Sequence, residues 1–314
     1  MDFKKVVVAG SGVLGSQIAL QTAFKGFDVT IWLRSEGSID RAKPKLERFK
    51  NIYLQTLEAM KTNPQAYCRG LSDKKDLTDD KIDELKDNLI KGYDNLTLTT
   101  SYEEAAKDAD LVIEAIAEDP KQKIAFYTEL AKYLPEKTVI VTNSSTLLPS
   151  TFADYTGRPE KYLALHFAND IYRNNTAEIM GHANTSSEYY NQVVEFAQAI
   201  GMVPLKLKKE QPAYILNSLL VPFLSAAQGL WADDVADVET IDLTWRLATG
   251  APLGPFQILD IVGLTTAYNI GLMDPRSSDI NTIQGKVSAA LKKKIDAGEL
   301  GVNAGKGFYD YTDE

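Results

Sequence analysis

Two short apolar runs carry the residue types that a proton transfer needs. The run "YLALHF" holds His166 next to its end, and "AEIM" carries Glu178 twelve residues later. An imidazole titrates near neutrality and suits general acid–base work. A carboxylate on its far ring nitrogen fixes the tautomer and stabilises the imidazolium that forms. Ligands of open α/β sheets bind at the carboxyl ends of strands, where His166 is expected. Taken alone, a histidine so placed reads equally as a satisfied core residue.

A second constellation stands at the start of the chain. "GSGVLG" runs from Gly10 through Gly12, Val13 and Leu14 to Gly15, and matches G-x-G-x-x-G. It follows a β-branched run and opens a helical pattern, the context in which this motif binds a dinucleotide. Gly10 serves the tight turn, Gly12 lets backbone approach a pyrophosphate, and Gly15 lets helix pack on strand. A nicotinamide cofactor, NAD or NADP, and hydride transfer are implied. The second strand pattern ends "TIWLRSEG", with Leu33 where an acid would bind the ribose hydroxyls. Arg34 offers a forked cation and Ser35 a hydroxyl, so a preference for NADP(H) over NAD(H) is expected.

The elements that must hold these residues alternate. "KKVVVAG", "FDVTIWL", "NLTLTT", "ADLVIEAIAE", "KTVIVTNSS", "YLALHF" and "AEIM" read as strands, with helical patterns between most of them. That order predicts an α/β fold with a parallel, doubly wound Rossmann-type sheet. Residues from about 38 to 96 are charged and helical in pattern, which predicts an inserted helix pair, either solvated amphipathic helices or a substrate-gripping arm. Strand signals largely stop near Leu207. The expected domains are 1–207 for the dinucleotide and 208–314, all-α, for substrate and dimerisation.

Jointly, "GSGVLG", "TNSST", "HFAND", "ILNSLLVPF", "GAPLGPFQILDIVGL" and "GKGFYDY" resemble the 3-hydroxyacyl-CoA dehydrogenase family over essentially the whole chain. The resemblance implies an oxidoreductase that interconverts an L-3-hydroxyacyl-CoA and a 3-oxoacyl-CoA. His166 would be the general base and Glu178 its partner. Ser145 would bond the substrate oxygen, and Asn217 would support the reacting carbonyl from the second domain. Glu118, Lys123 and Asn169 would contact the cofactor. The chain departs from the family's "HFFNP" at Ala168 and Asp170, has the polar "IYRNNTAE" after it, and has Asn303 where a cofactor-contacting lysine is usual. These departures leave the acyl group open. A dehydrogenase of a small polar hydroxy acid and a non-catalytic dinucleotide-binding protein are the alternatives.

Composition narrows the partners. The chain has 314 residues, of which 44% are hydrophobic and 25% charged, and a formal net charge of −9. Such a surface repels nucleic acid phosphates and anionic lipid. The single cysteine, Cys68, excludes an intrachain disulfide and a cysteine zinc site, and no metal is expected. The leading apolar run is too short for a secretion signal, and "YILNSLLVPFLSAAQGLW" is too polar for a membrane span. Cytoplasmic location, a small-molecule substrate and a homodimer are expected. His182 is expected at the surface.

Overall fold

Runs rich in valine and isoleucine form the strands, as their fit to a pleated, buried surface requires. They are β1 (Lys5–Ala9), β2 (Asp28–Trp32), β3 (Thr97–Thr99), β4 (Leu111–Glu114), β5 (Val139–Thr142), β6 (Tyr162–Phe167), β7 (Thr176–Met180) and β8 (Val203–Lys206). The computed structural model describes residues 1–312 and joins these strands in one sheet, ordered β3-β2-β1-β4-β5-β6-β7-β8. The first six are mutually parallel, and β1, β4, β5 and β6 are buried along almost their whole length. Burial of both faces is why these strands read as continuous apolar runs.

Two strands correct the expectation of a parallel sheet. β7 runs antiparallel to β6, and β8 runs parallel to β7. Only eight residues separate Phe167 from Thr176. A parallel return needs a crossover of about a dozen or more, so the chain turns back on itself.

Helix α1 (Val13–Phe24) is buried from Gly15 onward against the sheet. The inserted pair is α2 (Glu36–Met60) and α3 (Asp79–Asp94), lying in sequence between β2 and β3. Their apolar faces supply Phe49, Tyr53, Leu57, Ile82 and Leu89 to a cluster with Leu20 and Phe24 of α1 and with Tyr172. The insertion is therefore a seated layer on α1. Cys68 joins the same cluster, and burial pushes its thiol up, which makes it unreactive. Three more helices, α4 (Tyr102–Ala106), α5 (Pro120–Leu130) and α6 (Ser187–Ala199), complete the first compact unit, which runs from Met1 to Ile215. Residues Lys208–Ile215, assigned by sequence to the helical remainder, pack in this first unit: Leu207 and Tyr214 cluster with Ala164 and Met180.

The second unit begins at Leu216. It comprises α7 (Leu216–Ala232), α8 (Val238–Thr249), α9 (Pro255–Val262), α10 (Leu264–Gly271) and α11 (Ile283–Asp296), around Leu224, Phe256, Leu259, Leu264 and Leu291. Two buried acids organise it. Asp242 accepts the backbone N–H groups of Phe256 and Gln257, and Asp260 accepts those of Phe308 and Tyr309. The Tyr309 hydroxyl also donates to Asp242, so the motifs "GAPLGPF" and "GKGFYDY" meet at that carboxylate. Among the described residues no helix is long and apolar enough to cross a membrane.

Two glycines in the inserted helices give opposite expectations. A Cβ at Gly92 of α3 would stand 2.5 Å from the carbonyl oxygen of Ala23 on α1, whereas one at Gly37 of α2 meets only the Arg41 side chain at 3.5 Å. Gly37→Ala should leave stability unchanged or raise it by up to about 1 kcal/mol through helix propensity. Gly92→Ala should lower it by about 1–2 kcal/mol, because backbone must move apart. Denaturant unfolding of both variants checks the pair; a Gly92→Ala protein as stable as the parent would show that α3 is not seated on α1.

Candidate active site

The carboxyl ends of three parallel strands, β1, β4 and β5, lie side by side. Ala9 pairs with Glu114, and Glu114 with Thr142. The loops leaving these ends form one cleft, lined by Gly12–Gly15, Glu114–Ile116, Glu118, Lys123 and residues 143–146. Gly10 has a φ of +106°, and a Cβ there would stand 2.5 Å from the Ala115 carbonyl oxygen. Gly12 is the N-cap of α1, has no side-chain capping bond, and opens on empty space. The first N–H groups of α1 thus face the cleft uncapped, with room for a phosphate to approach, so this cradle fits a dinucleotide. Val13, 58% exposed, and Leu14 offer apolar contact beside it.

The other residues expected to contact the cofactor fall in different settings. Lys123 is 1% exposed and pairs with Glu114 at 2.7 Å and with Glu118 at 3.3 Å. It lines the floor of the cleft as half of a buried ion pair, which sequence reading did not foresee. Glu118 shapes the next loop. Its Oε1 accepts the N–H groups of Ser145 and Thr146 at 3.0 and 3.2 Å and the hydroxyl of Ser144. Burial opposes the charge on Glu118, but the Ser144 hydroxyl, the Lys123 cation and the Thr146 N–H outweigh it and hold the carboxyl below its ordinary range. Arg34 is exposed after β2, with a long 3.5 Å contact to Gln122, while Leu33 is buried in the core. Asn169 is exposed in the turn after β6, where its carbonyl accepts from the Asn174 side chain.

The sheet brings His166 and Glu178 together. In the antiparallel register His166 of β6 lies directly opposite Glu178 of β7. Nδ1 of His166 stands 3.2 Å from Glu178 Oε2, and Nε2 stands 3.4 Å from the Ser145 hydroxyl. His166 is 7% exposed and Glu178 3% exposed. A charged Glu178 accepts the Nδ1 proton, which leaves the Nε2 lone pair directed at Ser145 and the cleft. The arrangement can take a proton from a hydroxyl held at Ser145. Asn217 is the second residue of α7, half-buried, in the second unit. Asn303 lies in the short turn Val302–Ala304 of that unit. His182 is half-buried, not at the surface as expected: its Nε2 bonds the Pro159 carbonyl and its Nδ1 accepts from Asn184 N–H.

Three partners escaped the sequence reading. Asn143 accepts the Phe167 N–H, which docks the serine loop on the end of β6. Glu114 gathers Lys123, Tyr127 and Thr142. Tyr214 lies against the His166 ring. A glutamate inside the apolar run "LVIEAI", with a lysine nine residues on, was the available sign of the buried pair. Nothing local marks Tyr214.

Comparison with known proteins matches both parts of the chain to one family. The 3-hydroxyacyl-CoA dehydrogenase NAD binding domain matches residues 5–211, and that family's C-terminal domain matches residues 214–311. A 3-hydroxybutyryl-CoA dehydrogenase of Clostridioides difficile is 30% identical over 308 residues, covering 98% of this chain and 99% of its own. Among solved structures, a diketoreductase described as acting on dicarbonyl compounds by substrate-directed dual catalysis is 47% identical. Its TM-score is 0.84, with 99% of this chain and 100% of that one covered. FadB2 of M. tuberculosis is 26% identical with a TM-score of 0.78, covering 98% and 99%. With both domain models matched in order along nearly its whole length, the chain belongs to the 3-hydroxyacyl-CoA dehydrogenase family of NAD-dependent oxidoreductases.

Proposed function

We propose that the chain interconverts a 3-hydroxy and a 3-oxo compound of the L-3-hydroxyacyl-CoA type, with His166 as general base. The observation that carries this is the Glu178–His166–Ser145 line at the strand ends, whose last member also lines the dinucleotide cleft. A bound nicotinamide supplies the hydride acceptor for C3 in the oxidative direction. Ser145 holds the substrate oxygen, Nε2 of His166 removes its proton, and Glu178 stabilises the resulting imidazolium. Asn217 is assigned to the reacting carbonyl on the strength of its motif. Reduction of the 3-oxo compound runs through the same groups in reverse.

A second reading concerns the handle on the substrate. The diketoreductase at 47% identity is described as acting on dicarbonyl compounds. A 3-oxoacyl thioester is itself a 1,3-dicarbonyl, so the reacting centre is shared and only the CoA is in question. The polar "YRNN" segment after β6 favours a substrate without a long acyl chain. Acetoacetyl-CoA, a CoA-free 3-oxo ester and free hydroxy acids, assayed side by side, separate the readings. His166→Gln should lower kcat by at least about 10²-fold on whichever is turned over, with folding and cofactor binding kept. Glu178→Gln should also slow turnover. A His166→Gln enzyme within a few fold of the parent would remove the assignment.

The match to an NAD binding domain gives no support to an NADP(H) preference. The finer reading we propose is narrower: the site accommodates NADP(H) beside NAD(H). No acid ends β2, and Arg34, Ser35, Ser38 and Arg41 cluster at the start of α2, with Arg41 bonded to Ser38 and Ser38 to Ser35. Measured kcat/KM with each cofactor should fall more than about tenfold for NADP(H) in Arg34→Ala, the scale of a charge-assisted phosphate contact, and little for NAD(H). Equal loss with both would mean that Arg34 stacks on the adenine instead.

We further propose a homodimer formed through the second unit. It exposes Leu219, Leu243, Leu247 and Met273, at 68%, 53%, 77% and 76%, an apolar display unusual for a lone domain. Light scattering at micromolar concentration should give twice the chain mass of 34.7 kDa. A monomer mass would exclude this assembly.

A further inference from the structure

Tyr214 has no part in the roles assigned above, yet it packs on His166 and bonds the loop that carries Ser145. It is 1% exposed, and its ring lies nearly flat on the His166 imidazole, with centroids 4.4 Å apart and planes 13° apart. Its hydroxyl donates to the Ser144 carbonyl at 2.7 Å, in the loop that carries Ser145. The next N–H, of Ile215, donates to Glu178 Oε1 at 2.8 Å, the oxygen that His166 does not use. Ala213 and Tyr214 both hold positive φ, +65° and +55°. Residues with a Cβ adopt that conformation in succession only where surrounding contacts hold it. Tyr214 and Ile215 together touch the imidazole face, the carboxylate behind it and the loop in front of it.

We propose that Tyr214 is a positioning residue for the proton transfer: its ring fixes the plane of the His166 imidazole and favours its cationic form, and its hydroxyl ties that ring to the serine loop. The proposal rests on His166 being the general base. A flat neighbour blocks rotation of the imidazole about its bond to the main-chain side. The electron-rich face of a phenol attracts a cation lying over it. The buried hydroxyl needs an acceptor, and the Ser144 carbonyl supplies one. Burial and the nearby Glu118, Glu178 and Glu114 push the phenol well above its ordinary value, so it remains a neutral donor. The charged groups around the stacked rings are Glu178 on β7, Glu114 at the end of β4 and Glu118 after it, the last two answered by Lys123. These carboxylates stay in place in every Tyr214 variant, so the contribution of Tyr214 is read against an unchanged set of charges.

The test compares the parent enzyme with Tyr214→Phe, Tyr214→Leu and His166→Gln. The substrate is 3-hydroxybutyryl-CoA, or the CoA-free 3-hydroxy ester if that is what the enzyme oxidises. Readouts are kcat, KM, NADH affinity by fluorescence, and the acid limb of kcat/KM, which reports deprotonation of the base. Tyr214→Leu should lower kcat by roughly tenfold with KM and NADH affinity within about twofold, since only orientation at the reacting atoms is lost. Its acid limb should move to lower pH by roughly half to one unit, because the cation has lost its aromatic face. Tyr214→Phe should keep the limb and lose roughly threefold in kcat, the effect of a loosened loop. An active His166→Gln enzyme would sink the reading of the base itself. An inactive one, beside a Tyr214→Leu enzyme with an unmoved limb, would overturn the Tyr214 proposal alone. If Tyr214→Leu does not fold, Tyr214→Phe decides, and parental kcat in that variant overturns the proposal.

Discussion

The dinucleotide face of this protein is organised around one carboxylate that water does not reach. Glu114 ends the central strand β4 with no exposed surface. Its Oε1 accepts from Lys123 and the Ile116 N–H, and its Oε2 accepts from Lys123, Tyr127 and Thr142, all within 2.9 Å. Tyr127 in turn meets Tyr162 at the start of β6. An isolated buried charge costs several kcal/mol, so it is tolerated only with such complete satisfaction. The effect is geometric. β4, β5, β6 and α5 are pinned at one point, and the loops leaving them emerge from fixed origins. Glu118 then shapes the serine loop, and Lys123 links the two acids.

The second constraint is register. Glu178 reaches His166 because their positions pair directly across β6 and β7. A slip of one residue would turn Glu178 to the opposite face of the sheet. Burial along β6 and most of β7 resists such a slip, since it would carry the polar Glu178 away from its partners into a buried face. The pair is therefore held by the packing of its strands as well as by its own hydrogen bond. The two oxygens of Glu178 have separate tasks, one toward the histidine and one toward the Ile215 N–H, which leaves the carboxylate little freedom to rotate.

Much of this was legible from local pattern. The glycine loop announced itself because its chemistry is backbone chemistry, tied to glycine at fixed spacing. His166 and Glu178 stood out because polar residues in buried runs are rare. What escaped reading depended on distance in space. The antiparallel course of β7 follows from the length of the turn after Phe167, which the alternation of strands and helices hid. Lys123 read as a cofactor contact; its buried pairing was hidden because its helix, α5, is otherwise ordinary, and its partner Glu114 sits on a strand. Tyr214 looked like the start of the helical remainder. Its role comes from packing against residues 48 and 70 positions earlier, which no local period records.

The hairpin that carries His166 and Glu178 has a consequence for how the candidate site is built during folding. The parallel strand pairs require a helical crossover or longer excursion to close, whereas β6 and β7 close over a turn of eight residues. Loop-closure entropy grows with the length enclosed, and local pairings reach the native register fastest. Histidine and glutamate thus meet through the shortest closure in the sheet, with a separation of twelve residues. The serine comes from 21 residues away, and the Tyr214 hydroxyl must cross 70 to reach its carbonyl. The nucleus of the active site is local and its clamp is distant, so the clamp is the part that an opening fluctuation of the native chain releases at least cost to the dyad.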